Sequence, residues 1–98
     1  MFGFGDAHEQ VYGDNAKHES HWSHELIAGA AAFQAAKAYE ASHPGGKHTL
    51  TKELLAGLAG AEADKLFETK GLDFLDREKA KHQAKKEAEK LYDEQYAN

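Results

Sequence analysis

One stretch of this sequence occurs twice, and the repeat constrains the fold more strongly than any other feature of the chain. The copies run from Ser23 to Glu40 and from Thr51 to Glu68, and they align without a gap at an offset of 28 residues. The identical pairs are Glu25/Glu53, Leu26/Leu54, Ala28/Ala56, Gly29/Gly57, Ala31/Ala59, Ala35/Ala63, Lys37/Lys65 and Glu40/Glu68. Apolar residues recur at steps of three and four, the period of an α-helix. The repeat therefore predicts two related helices that pack on each other or on copies of themselves.

The composition points to an all-α protein. The chain holds one valine, one isoleucine and three threonines, so a sheet has few β-branched residues to be built from. Pro44-Gly45-Gly46 breaks the helical pattern, which predicts that the first two helices are antiparallel. We expect a small three-helix bundle or hairpin, with two related Gly/Ala-rich helices followed by a long charged C-terminal helix. The expected helices lie near 17–42, 50–70 and 72–95.

The N-terminal part is less helical in character. Residues 1–16 are expected to form a flexible or loosely docked segment, and residues 17–98 a single helical domain. The start, MFGFGDAHEQ, has no basic segment followed by an apolar run, so we expect no signal peptide and a cytoplasmic location.

Glycines inside the two repeats need a physical reason, because a helix-interior glycine is about 0.5–1 kcal/mol less favourable than alanine. Gly29, Gly57 and Gly60 are expected where two helices touch closely, whereas Lys85 is expected to be solvated. The alternative is a glycine-rich surface for lipid contact, which the short apolar runs disfavour. The residues expected on the buried side of the second helix are Leu54, Leu55, Leu58 and Ala61, with Leu66 and Phe67 further along.

Charge and residue usage restrict the classes of partner. The formal net charge is -5, which argues against a nucleic-acid backbone as the main partner. The absence of cysteine excludes a disulfide, thiolate catalysis and a Cys-type zinc site. The longest apolar stretch, Leu26 to Phe33, is far shorter than the ~18 residues that a membrane span needs.

Seven histidines are many for 98 residues, and three of them cluster. His18, His21 and His24 are spaced by three, so neighbouring pairs can share a ligand but all three on one helix cannot easily do so. His21 and Glu25, four residues apart, form the better pair of metal ligands. The candidate metal site is therefore His18, His21, His24 and Glu25, for a divalent metal or haem. A third ligand could come from His8, His48 or His82. The alternative is a polar, solvated start of a helix.

No catalytic constellation stands out, because the chain shows no Ser-His-Asp order, phosphate-binding glycine loop or Cys-His pair. An enzyme is therefore the less favoured class, and no catalytic residue is assigned. Asp64 lies on a small-residue face, where a carboxylate needs a partner, and Lys37 or Arg77 could form a structural ion pair with it. The aromatic residues Trp22, Phe33, Tyr39 and Phe67 either form core or line a flat-ligand pocket.

Three stretches together resemble a known family. They are MFGFGDAHEQVY at the start, SHELIAGAAAFQAAKAYE in the first repeat, and KELLAGLAGAEADKLFETKGLDFLDREKAK, the most specific, from Lys52 to Lys81. The chain resembles the small fungal CipC-like antibiotic-response proteins (concanamycin-induced protein C), over nearly its whole length. The resemblance implies a fungal, stress-responsive, mostly helical protein, and it supplies no catalytic residues.

Two functions from different classes remain. The first is a non-enzymatic stress-response helical protein that self-associates as a homo-oligomer, or binds a partner, through its small-residue faces. The alternative is a binding module for a small molecule, haem or a divalent metal that uses the histidine-rich segment.

Overall fold

The computed structural model describes residues 4–13, 22–44, 49–72 and 75–96. These residues contain helices and no strand, which confirms the all-α class. The helices are α1 (Phe4–Tyr12), α2 (His24–Ser42), α3 (Lys52–Lys70) and α4 (Arg77–Gln95). The prediction of three helices was wrong by one, because Phe4–Tyr12 is a helix that packs on α2.

The three long helices begin in the same way. Ser23, Thr51 and Asp76 are N-caps whose side-chain oxygens accept the backbone N–H three residues on, at 3.2, 3.1 and 3.1 Å. A glutamate stands at the second helical position of each, near the positive end of the helix dipole. The cap at Asp76 explains why α4 starts at Arg77 rather than near residue 72. The part of the first predicted helix before residue 22 lies outside the described residues.

Aligned at these caps, α4 is a third copy of the repeat. It shares Glu78, Ala84, Ala88 and Lys90 with both earlier copies. Equivalent inward positions are at most 4 % exposed in all three helices. They form the sets Ile27/Leu55/Ala80, Ala31/Ala59/Ala84 and Ala35/Ala63/Ala88. Because alanine dominates these positions, the helices can approach closely and still exclude water.

Polar contacts at the helix ends show how the three helices run. The backbone N–H of Asp76 donates to Nε2 of His24 at 2.9 Å, so α2 and α4 start side by side. Lys52 pairs with Asp93 at 2.7 Å, so the start of α3 lies at the end of α4. The helix α3 is therefore antiparallel to both others, as the break at Pro44 predicts.

The helix α1 covers the face of α2 that the other two helices leave open. Ala7 and Val11 are buried, and the Cβ of Ala7 is 3.4 Å from the position that a Cβ on Gly29 would take. The ring of His8 lies 5.1 Å from that of Phe33. The first half of α2 is therefore covered all round, since every residue from 26 to 32 is buried, whereas Lys37, Ala38 and Glu40 in its second half are exposed.

Candidate functional site

An apolar surface on α3 faces away from the core, and we call its four residues, Leu54, Gly57, Leu58 and Ala61, the outer α3 surface. Their spacing of three, one and three places them on one face of the helix. Leu54 is 42 % exposed and is the one exposed large hydrophobic side chain among the described residues. Gly57 and Ala61 are exposed, and Leu58 is half-buried. The prediction that Leu54 and Ala61 are buried was therefore wrong.

Helical angles explain the error. Leu55, Ala59 and Ala63 are buried at steps of four and define the inward face of α3. Leu54 lies roughly 140° from the middle of that face at 100° per residue. Leu54 and Leu55 point about 100° apart, but this angle alone does not mark Leu54 as exposed, since both members of the equivalent pair Leu26 and Ile27 are buried.

The three helix-interior glycines have different surroundings. Gly29 lies under Ala7, as described above, and Gly60 is buried under the side chain of Lys85, whose Cε is 3.0 Å from the position of a Cβ there. These two confirm the prediction of close helix contacts. Gly57 does not, because no described residue lies within 4 Å of its Cβ position. Lys85 is exposed but its aliphatic stem covers Gly60, so it is not simply solvated.

A shallow cavity of about 310 Å³ opens beside the outer α3 surface, between α2 and α3. Leu58 and Ala61 form part of its wall, and Lys65 and Glu62 stand at its rim. The residues from α2 are Ala35, Ala38, Tyr39, Ser42 and His43. Most of this lining is apolar, so the outer α3 surface and the cavity form one continuous apolar region.

Polar side chains beside the cavity are bonded within the chain. Tyr12 donates its hydroxyl to Glu62 at 2.7 Å, which ties the end of α1 to α3. Burial, and then the neighbouring Glu62 carboxylate, raise the pKa of the Tyr12 hydroxyl above its usual value. The His43 ring stacks on Tyr39 with centroids 4.1 Å apart, and its Nδ1 donates to the Tyr39 carbonyl at 3.1 Å. These contacts hold the walls of the cavity in place.

Of the four predicted metal ligands, the structure describes only His24 and Glu25. His18 and His21 lie outside the described residues. Nε2 of half-buried His24 already accepts the N–H of Asp76, and the exposed Glu25 is adjacent in sequence, so the two point about 100° apart. Within residues 4–13, 22–44, 49–72 and 75–96, no three His, Cys, Asp or Glu side chains are grouped so that they could hold a metal ion. Metal or haem binding at these residues stays a prediction.

Asp64 forms the ion pair expected of it. Its carboxylate bonds to Arg77 at 2.8 Å and to Lys81 at 3.0 Å, which links α3 to α4. Arg77 also reaches Glu68 at 3.2 Å. The Arg77 hydrogen bond, supported by Lys81, lowers the pKa of Asp64. Of the two candidate partners, Arg77 is confirmed, whereas the ammonium of Lys37 lies 5.7 Å above the ring of Phe33.

The aromatic residues are largely core. Trp22, Tyr39 and Phe67 are at most 9 % exposed, while Phe33 is half-buried against α1. In the described part of the chain, the helices are too short or too polar to cross a lipid bilayer.

The fold and the surface define a small all-α protein, built from a three-copy helical repeat and one added helix, with an exposed apolar region on its third helix. The chain belongs to the family described as CipC-like virulence factors, whose model matches residues 7–95. This match confirms the resemblance seen in the sequence. Neither a curated protein nor a solved structure matches the chain.

Proposed function

We propose that this protein is a non-enzymatic stress-response protein that acts by self-association, and that the outer α3 surface is the contact. The observation that carries the proposal is Gly57. It lowers the helical stability of α3 by about 0.5–1 kcal/mol relative to alanine, and no close neighbour within the described chain requires it. A glycine at such a position is favoured where a helix from another molecule approaches closely.

Two features beside Gly57 support the same conclusion. Leu54 is 42 % exposed, and since fully burying a leucine contributes about 1.5–3 kcal/mol, covering the exposed part would contribute a little under half of that. The cavity bounded by Leu58 and Ala61 extends the apolar area towards α2. Contiguous exposed apolar patches are one mark of protein–protein contact sites.

Sedimentation equilibrium over a wide concentration range tests the self-association. We expect a concentration-dependent oligomer for the natural sequence, and a monomer for Leu54→Glu, which places a charge on the contact. Lys86→Gln is the matched control, since it changes the charge by the same amount at an exposed position of α4. A monomer at every concentration for the natural sequence, or an equal loss of association in both variants, would contradict the proposal.

The stress-response role rests on the family. It is tested by following the amount of the protein in its source cells with and without exposure to an antibiotic. An unchanged amount under several stresses would count against this role without bearing on the contact.

A further inference from the structure

The outer α3 surface is the repeat equivalent of the part of α2 that α1 covers. At the offset of 28 residues, Gly29 corresponds to Gly57 and Phe33 corresponds to Ala61. On α2 this face is in contact with a helix, because Ala7 of α1 lies over Gly29. On α3 the same face is open among the described residues. The repeat thus shows that this pattern of residues accepts a packed helix, with an alanine opposite the glycine.

The outer α3 surface contains both a glycine and an alanine of the kind that meet in the contact between α1 and α2. Gly57 and Ala61 are one helical turn apart, and both are exposed. A glycine facing an alanine brings two helix axes close together, towards the lower end of the usual 8–10 Å. Two identical helices placed antiparallel can make this contact twice, once on each side of a two-fold axis.

We propose that a second copy of this chain covers the outer α3 surface through its own α3, in an antiparallel pair in which Gly57 of each copy faces Ala61 of the other. This inference rests on the proposed self-association and names its geometry. The two-fold axis then passes beside Leu58, and the two Leu58 side chains meet near it.

In this register, with Gly57 of each copy facing Ala61 of the other, Leu54 of the second copy fills the cavity of the first. When position 57 faces position 61, position 54 of the second copy is level with position 64. Leu54 of the second copy then lies beside Ala61 and Lys65, both of which line the cavity. The exposed leucine of each copy enters the apolar cavity of the other, so Leu54, Gly57 and the cavity are explained by one contact.

Outside the outer α3 surface, the described residues include no exposed large hydrophobic side chain that could form a competing apolar contact. The exposed side of α4 consists mainly of lysine and glutamate side chains, for example Lys86 and Glu89. Covering it would remove charges from water without providing partners for them.

Single-cysteine variants test the geometry cleanly, because the natural sequence contains no cysteine. Full-length Gly57→Cys and Ala61→Cys chains are mixed in a glutathione redox buffer, and disulfide-linked dimers are separated by mass. Both positions are exposed, so both variants are expected to fold, which circular dichroism checks. Lys86→Cys is the control for chance collisions.

The expected result is a mixed Gly57→Cys/Ala61→Cys dimer that forms about tenfold faster than any dimer with Lys86→Cys, since only facing residues meet the disulfide distance of roughly 4.4–6.8 Å between Cα atoms. An association seen by sedimentation without this preferred cross-link would overturn the α3 pairing and leave self-association standing. A strict monomer in sedimentation would overturn both.

Discussion

Replacing Gly57 by alanine should stabilise the isolated chain, and by more than the same change at Gly60 or Gly71. Gly57 lies inside α3, and none of the residues that the structure describes is within 4 Å of its Cβ position. An alanine there loses less backbone entropy on folding and meets no obstruction, so the free energy of unfolding should rise by about 0.5–1 kcal/mol.

The assay is thermal unfolding followed by circular dichroism, at a concentration where the natural chain sediments as a monomer. For a domain of this size, the change in the free energy of unfolding corresponds to an increase in Tm of roughly 2–8 °C. Low concentration matters, because the added methyl group would oppose the close approach of a second α3.

Two other glycines serve as controls with different expected results. At Gly60 the alanine Cβ would lie 3.0 Å from Lys85 Cε, so the lysine stem must move and the gain should be smaller. At Gly71, the C-cap of α3 with φ of 62°, alanine should lower stability by about 1 kcal/mol, because side chains disfavour that backbone conformation. A loss of stability in Gly57→Ala, or equal shifts at positions 57 and 60, would refute the conclusion that Gly57 is uncovered in the monomer.

Three further predictions concern protonation and metal. Because the pKa of Asp64 is lowered in the folded state, its contribution to stability is present above the ordinary aspartate pKa of about 4 and is lost as the pH falls further. In urea unfolding, the difference in free energy of unfolding between the natural chain and Arg77→Gln should therefore become smaller in acid. A difference that does not change with pH would contradict this. Because the pKa of Tyr12 is raised, the contribution of its hydroxyl to stability is present below about pH 10 and is lost as the pH rises. Between roughly pH 9.5 and 11.5, the free energy of unfolding of the natural chain should therefore fall faster than that of Tyr12→Phe. Parallel pH dependences of the two proteins would show that the Tyr12 hydroxyl is not responsible. If the three clustered histidines bind Zn²⁺, calorimetric titration should give heat with the natural chain and none after glutamine replaces all three, whereas equal heats would rule out these ligands.

The sequence was sufficient for the two repeated helices because their signals are local. Ser23 and Thr51 occupy the same position in the two copies, and each caps its helix through a hydrogen bond that needs no distant residue. The third copy was missed because its resemblance lies in alanines such as Ala84, which the lysines of the exposed side obscure. Packing keeps only the inward positions alike, whereas an alignment of the three copies compares every position, and most of these lie on the surface.

The candidate site could not be located from the sequence, for a reason that Gly29 and Gly57 show. The two glycines are equivalent in the repeat and have similar neighbours along the chain, yet one is covered and the other is open. The difference arises from α1, whose Ala7 lies over Gly29, whereas no described residue lies over Gly57. Contacts between elements distant in sequence determine which of two identical patterns becomes core and which becomes surface.

The shared inward faces of α2, α3 and α4 also raise a question of assembly order. Helices that present nearly the same alanine pattern to the centre could exchange places in a bundle with little change in buried apolar area. The charged pairs at the rim distinguish one arrangement: Asp64 meets Arg77 and Lys81, and Lys52 meets Asp93. Each pair joins α3 to α4 and has no equivalent in α2, where position 36 is an alanine instead of Asp64. These surface ion pairs therefore contribute more to selecting one order of helices than to the stability of the selected order.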